Sequence, residues 1–291
     1  MRYTIGKIVS RHAAPPPLGT LLDGRYRLQG LLGSGGMGRV YEAEDMRLGR
    51  RVAIKVLYED DADGTMAERL FREAKAAARA EHPAVVTTYG YGVDPELGVD
   101  YVVMERLQGE TLAARIERDG KLSIPFILRV GLEIAEALIA VHEAGVVHRD
   151  LKPSNVFLAT RGRRIDDVKL LDFGVAKQLD LHTLTLTGQI YGTPQYMAPE
   201  QINDSKRVDR RSDIYSLGVV LYECATGELP FREKNVTALL CQIMFGAEPN
   251  VRARRADLPE PLAAAIARCL QRQAGNRYQT ARSLYEALAP L

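Results

Sequence analysis

From Arg25 onward, apolar and polar residues alternate in short runs. Arg25–Leu32 and Arg39–Glu44 alternate and carry aromatics, and Arg51–Leu57 is a β-branched run. A period of two is that of a strand with one buried face, so these segments predict an antiparallel meander. At Met66–Ala80 the period changes. This Ala-, Glu- and Arg-rich stretch has helical spacing and is stopped by His82-Pro83. Val85–Tyr91 and Tyr101–Glu105 read as two further strands. After Gly109 helical spacing dominates. Ile127, Val130, Ile134, Leu138 and Val141 form an apolar stripe, which predicts an amphipathic helix over Ile124–Ala144. Short strands are predicted at Asn155–Leu158 and Val168–Leu171, joined by the polar hairpin Arg161–Asp167. Helices follow at Arg211–Thr226, Val236–Phe245, Pro261–Leu270 and Thr280–Leu288.

This order predicts an α+β chain: a small antiparallel sheet with one helix, then a larger, mainly helical part. The boundaries expected are 25–107 and 108–291. Residues 1–24 precede them as a flexible tail, because Ala13-Ala14-Pro15-Pro16-Pro17 favours an extended path. With 291 residues, 46% of them hydrophobic, the chain can build a substantial core. A net charge of +2 gives no electrostatic case for nucleic acid or an anionic membrane as partner. The three cysteines, Cys224, Cys241 and Cys269, have no metal-type spacing and suit a reducing compartment. Met1–Leu22 lacks an apolar signal core, and the longest apolar stretch, near Leu239–Phe245, is far too short to span a bilayer. The expectation is a cytoplasmic chain without a membrane segment; the sequence leaves open an anchor beyond Leu291 in a longer parent.

The candidate chemistry is concentrated in His148-Arg149-Asp150-Leu151-Lys152-Pro153-Ser154-Asn155, followed by Asp172-Phe173-Gly174. Phosphoryl transfer from ATP needs this set of groups: a carboxylate facing the acceptor hydroxyl, a cation near the moving phosphate and two oxygen ligands for magnesium. A chance His-Arg-Asp with Asn five positions after the Asp is expected in fewer than roughly one chain in a thousand. Gly33-Ser34-Gly35-Gly36-Met37-Gly38-Arg39-Val40 holds G-x-G-x-x-G-x-V, where glycines let backbone amides approach phosphates. Alone this is weak, since three such glycines arise by chance in roughly one chain in ten. A dinucleotide-binding loop would be followed by a helix. Here Arg39–Ala43 reads as strand, so the loop reads as a strand–turn–strand lid. Val52-Ala53-Ile54-Lys55 ends a predicted strand in one cation; the predicted helix offers carboxylates such as Glu68, and Glu73, in Phe71-Arg72-Glu73-Ala74, is the preferred partner that would orient it toward the α- and β-phosphates.

On Gly33–Val40, Met104-Glu105 and Gly192–Glu200, together with the motifs above, the chain resembles the eukaryotic-type Ser/Thr protein kinases, and among them the bacterial Hanks-type kinases. The resemblance runs from about Arg25 to Leu291. It implies a bilobal protein-kinase fold, with the sheet part as N-lobe and the helical part as C-lobe. It also implies ATP and Mg²⁺ as cofactors, with Mn²⁺ as a substitute, and protein substrates. By this resemblance Glu105 and Leu107 hold adenine through backbone groups, and Leu32, Val40 and Ala53 above and Phe157 below sandwich the ring. Met104 is the gatekeeper, and Gly33, Gly35, Gly38, Lys55 and Glu73 serve the phosphates. Asp150 is the catalytic base, Lys152 neutralises the γ-phosphate, and Asn155 and Asp172 hold magnesium. His148 and Phe173 are packing residues. Lys152-Pro153 and Gly192–Glu200 resemble the Ser/Thr class. There Thr193 shapes the acceptor site, Glu200 pairs with Arg277, and Asp213 braces the catalytic loop.

Thr183, Thr185 and Thr187 lie between Gly174 and Gly192. Thr185 and Thr187 are the expected autophosphorylation sites, read by Arg149 and Lys177, because a phosphothreonine adds about two negative charges that an arginine can pair. Similar kinases pair transiently as homodimers for that step. Three other readings compete. An inactive scaffold of the same fold is opposed by the presence of Lys55, Glu73, Asp150, Asn155 and Asp172. An oxidoreductase rests on the glycine loop alone. Small-molecule kinases generally lack the Ala198-Pro199-Glu200 segment.

Overall fold

The structure, a computed structural model, describes residues 15–35, 38–57, 82–161, 164–171, 194–203 and 207–291. The chain divides into two compact units: Met1–Ala78 with Thr87–Leu107, and Arg79–Val86 with Gln108–Leu291.

The first unit is a sheet of order β1-β2-β3-β4-β6-β5, antiparallel throughout. Its strands are β1 (Leu21–Leu22), β2 (Tyr26–Gly35), β3 (Gly38–Asp45), β4 (Arg50–Leu57), β5 (Thr88–Asp94) and β6 (Val99–Glu105). Alternation of side chains sends Leu28, Tyr41, Ala43, Val52, Ile54, Val56, Tyr101 and Val103 into one core. The opposite face carries Val40, Lys55 and Val102 in one cross-strand row, and Glu42, Ala53 and Met104 in the next.

Two expectations change here. Residues 15–24 were assigned to the tail, yet Leu22 is fully buried in the core, β1 pairs with Tyr26 and Arg27, and Tyr41 Oη donates to the Pro16 carbonyl at 3.1 Å. One buried leucine and a prolyl carbonyl used as an acceptor attach a segment whose composition reads as unstructured. Secondly, the predicted strand Val85–Tyr91 is two structures. Val85 and Val86 are buried and bridge to Leu170 in the second unit, and the strand proper begins at Thr88. A run of β-branched residues such as Val85–Thr88 does not reveal where the chain changes partner. Residues 79–86 therefore lie outside a simple division of the chain at Leu107.

The second unit opens with β7 (Gly109–Thr111) and α1 (Leu112–Asp119), neither predicted, and continues with α2 (Ile124–Glu143). Thr111 caps α1 by accepting from the Ala114 amide. β7 pairs with β8 (Val156–Arg161), which pairs with β9 (Arg164–Leu170). Then come α3 (Pro199–Asn203), α4 (Arg210–Thr226), α5 (Val236–Phe245), α6 (Glu260–Cys269) and α7 (Ala281–Leu288). α4 is buried nearly all round, as suits a central helix, and is capped by Asp209 and by Gly227 in the left-handed conformation. A Cβ at Gly218 would come within 2.5 Å of Cys269 Cβ, so this glycine is what lets α6 pack against α4. Because α4 is enclosed, any polar group on it needs a partner. Asp213, Ser212 and Ser216 are fully or almost fully buried there, and their partners lie in the loops described next.

Candidate active site

In the first unit, Gly33 pairs with Val40 and Gly35 with Gly38, so the glycine motif is a hairpin and a strand follows its last glycine. Gly38 has φ +147°, and a Cβ there would come within 2.2 Å of the Val56 carbonyl oxygen. Only glycine fits this crossing of β3 over β4. Lys55 stands between Val40 and Val102 on the face away from the core, and Ala53 is opposite Met104. Leu57 and Val102 are buried on that face, packed by Tyr91 and Met104. Glu105 is anchored twice: its amide donates to the Thr87 carbonyl at 2.9 Å, and its carboxylate accepts from the Thr87 amide at 2.7 Å. Beside it the Arg106 guanidinium donates to the Leu107 carbonyl and pairs with Glu42 at 3.4 Å, on the same face as Ala53. Leu32 is exposed. Glu73 lies outside the described residues.

In the second unit, Asp150, Lys152 and Asn155 converge. Lys152 Nζ is 3.1 Å from Asp150 Oδ2, and Asn155 Nδ2 donates to the Asp150 carbonyl at 2.8 Å and to Oδ2 at 3.1 Å. A short 3₁₀ turn, Pro153–Asn155, makes this possible by returning the chain so that Asn155 reaches back five residues. Asn155 is almost fully buried, and its nitrogen is committed to Asp150. That leaves the amide oxygen, a hard donor suited to Mg²⁺, as its remaining group. The Asn155 carbonyl accepts from the Leu171 amide at 2.8 Å, which brings the residue before Asp172 to the same turn. Asp172 itself, Phe173, Lys177, Thr183, Thr185, Thr187 and Thr193 lie outside the described residues. Phe157, on β8, is half-buried opposite Thr111.

His148 is fully buried, and its ring spans the loop: Nε2 donates to the Leu171 carbonyl at 3.1 Å, while Nδ1 accepts from the Asp150 amide at 3.3 Å. One neutral tautomer, protonated at Nε2, satisfies both contacts. Next to it, Arg149 takes φ +65°, a left-handed conformation that costs a side-chain-bearing residue about 1–2 kcal/mol.

Asp213 on α4 holds that conformation. Its Oδ1 accepts from the Arg149 amide at 2.8 Å, and its Oδ2 from the His148 amide at 2.9 Å and from His142 Nε2 at 2.8 Å. Burial by itself would raise this carboxyl. The hydrogen bond and charge of His142 and the hydrogen bond from the Arg149 amide outweigh it and hold Asp213 below the ordinary carboxylate range. His142 had no signal in the sequence: a histidine in the last turn of an amphipathic helix reads as one of its ordinary polar positions.

Glu200 on α3 meets Arg277 in a two-pronged pair, Nη1 to Oε1 at 2.7 Å and Nη2 to Oε2 at 2.8 Å. Arg277 is fully buried and spends its remaining donors on the carbonyls of Gln271, Arg211 and Arg272. Burial again opposes ionisation of Glu200, and the Arg277 and Ser212 hydrogen bonds overcome it, so the carboxyl lies below its usual value. Ser216 donates to the Tyr196 carbonyl, and Tyr196 Oη donates to Glu223 at 2.6 Å. The segment 194–203 is therefore fastened to α4 at Ser212, Ser216 and Glu223.

The protein kinase domain family matches residues 26–287. The chain belongs to that family. Among curated relatives of this kinase domain is serine/threonine-protein kinase PknA of Mycobacterium tuberculosis, 38% identical over 94% of this chain and 63% of its own. Another is a probable serine/threonine-protein kinase of Clostridium acetobutylicum, 38% identical over 94% of this chain and 40% of its own. The chain thus spans about half the length of the curated relatives it matches. The kinase domain of PknI from M. tuberculosis superposes with a TM-score of 0.74 at 25% identity, covering 94% of this chain and 98% of that one. The fold is that of a protein kinase, with an antiparallel sheet unit and a helical unit. Among the described residues no helix is long and apolar enough to cross a membrane.

Proposed function

We propose that this kinase domain is an active enzyme that transfers the γ-phosphate of ATP to serine and threonine hydroxyls of protein substrates, with Mg²⁺ and with activation by autophosphorylation at Thr185 and Thr187. The observation that carries the reading is the Asp150 carboxylate with Lys152 Nζ 3.1 Å and Asn155 Nδ2 3.1 Å from one oxygen. Such a carboxylate is oriented by two neighbouring nitrogen donors. It can hold an acceptor hydroxyl in line and take its proton late, while Lys152 offsets charge on the moving phosphoryl group.

In this reading Asn155 and Asp172 would hold the magnesium ion, which would supply positive charge against the phosphate oxygens. The backbone at Glu105 and Leu107 takes adenine. Leu32, Val40, Ala53, Met104 and Phe157 line the ring, and Gly33, Gly35, Gly38, Lys55 and Glu73 serve the phosphates. Thr193 shapes the acceptor site, Arg149 and Lys177 read the loop phosphates, and two copies meet transiently for autophosphorylation. The two relatives described above are both named as serine/threonine-protein kinases, one of them as a probable one, which supports the acceptor class.

Purified protein incubated with Mg²⁺ and labelled ATP, beside Asp150→Asn and Lys55→Met, tests this. Transfer by the parent chain and its loss in both variants is the expected result. Equal labelling of parent and Asp150→Asn, or none in either after Mn²⁺ and phosphatase controls, would favour the inactive scaffold. Phosphopeptide mapping of active protein that finds Thr185 and Thr187 unmodified would remove the activation proposal.

A further inference from the structure

α3 begins at Pro199, and its third residue, Gln201, returns its side chain to the residue before the helix: Oε1 accepts from the Ala198 amide at 2.9 Å. This is the carboxylate-or-amide half of a capping box, a position where Glu and Gln serve equally. Glutamate would even be favoured there by the positive end of the helix. Gln201 does something glutamate cannot. Its Nε2 donates to the Arg149 carbonyl at 3.0 Å. The orientation of the amide is determined by its partners, since a flip would set oxygen against oxygen and nitrogen against an N–H.

Arg149 is the residue in the left-handed conformation, and its carbonyl belongs to the peptide that leads into Asp150. Asp213 holds the amide side of Arg149 at 2.8 Å, and Gln201 holds the carbonyl side. A strained residue persists only where its surroundings over-determine it, and here two elements do so. One is the buried helix α4. The other is α3, in the segment fastened to α4 through Ser212, Ser216 and Glu223.

We propose that Gln201 is a positioning residue for phosphoryl transfer: by donating to the Arg149 carbonyl it sets the peptide plane from which Asp150 projects, and so couples the placement of residues 194–203 to the aim of the catalytic carboxylate. This rests on the reading of Asp150 as the group that orients the acceptor hydroxyl.

The two functions of Gln201 separate chemically. Gln201→Glu keeps the cap and removes the donor, and Gln201→Met removes both. Steady-state peptide phosphorylation is measured for both variants beside the parent and Asp150→Asn, at matched phosphate content by intact mass, with melting temperatures recorded. Loss of one net hydrogen bond at the aiming step corresponds to a fall in kcat of about three- to tenfold in each variant. KM for ATP should be unchanged, and Gln201→Glu should melt within about 2–4 °C of the parent, the cost of the one hydrogen bond it loses. If Gln201→Glu keeps parental kcat while Gln201→Met loses it, Gln201 is only a helix cap and the proposal is overturned. Parental kcat in both overturns it as well. A parent chain that transfers no phosphate, or an Asp150→Asn variant as active as the parent, removes the reading of Asp150 and the proposal with it.

Discussion

Asp213→Asn changes no shape, so its effect isolates the charge and the second acceptor of the carboxylate. The carboxylate accepts three N–H groups: His142 Nε2 and the His148 amide at Oδ2, and the Arg149 amide at Oδ1. An asparagine has one acceptor. Its best orientation keeps the two bonds at the Oδ2 position and turns its NH₂ against the Arg149 N–H. The loss is one bond to a charged acceptor, about 1.5–3 kcal/mol. That is as large as the 1–2 kcal/mol or so by which the left-handed conformation of Arg149 is disfavoured, so the variant removes the force that holds it. With the loss falling on the residue before Asp150, kcat should drop by about 10- to 100-fold. The melting temperature should fall by about 3–12 °C, at about 2–4 °C per kcal/mol for a unit of this size. Peptide phosphorylation well below the melting transition, with calorimetry on the same preparation, checks both numbers. A kcat within about threefold of the parent would refute the claim that the Asp213 carboxylate maintains the loop, since roughly 0.7 kcal/mol is less than any charged hydrogen bond of this kind.

Arg277→Met should cost about 3–5 kcal/mol in urea unfolding, because it strands the largely buried Glu200 carboxylate, while removing both members of the pair should recover part of that loss. Asp213 and Glu200 both have lowered folded values, so the stability they add is complete above the ordinary carboxylate pKa near 4 and disappears as the pH falls through those lowered values. A pH series of melting curves should show the parent losing stability on that acid side with a steeper slope than Asp213→Asn. Glu42→Gln or Arg106→Met releases the half-buried pair beside Ala53 and Leu107; KM for ATP should rise about two- to fivefold at unchanged kcat, and an unchanged KM would mean that the pair does not support the adenine site.

The helical stripe Ile127–Val141 and the alternation in Arg39–Glu44 and Arg51–Leu57 were legible because each encodes which face is buried. So were Asp150, Lys152 and Asn155, whose contacts form within one short turn. The attachment of residues 15–24, the change of partner between Val86 and Thr88, and the short elements β7 and α1 were not. Each depends on a contact with residues distant in the chain, or is too brief to establish a period. Glu42 with Arg106 and Tyr196 with Glu223 were missed for the same reason: a charged or phenolic residue reads as surface until its partner is beside it.

Residue order by itself determined the family, the strand-then-helix plan and the chemical inventory of the loop His148–Asn155, because these depend on local spacing and side-chain type. Only the tertiary structure decided how that loop is held. Asp213 reaches Arg149 across 64 positions of sequence and Gln201 across 52, and no local pattern records either distance. Buried polar groups must find partners wherever the fold supplies them. On α4 and α3 the partner supplied is the strained peptide beside Asp150.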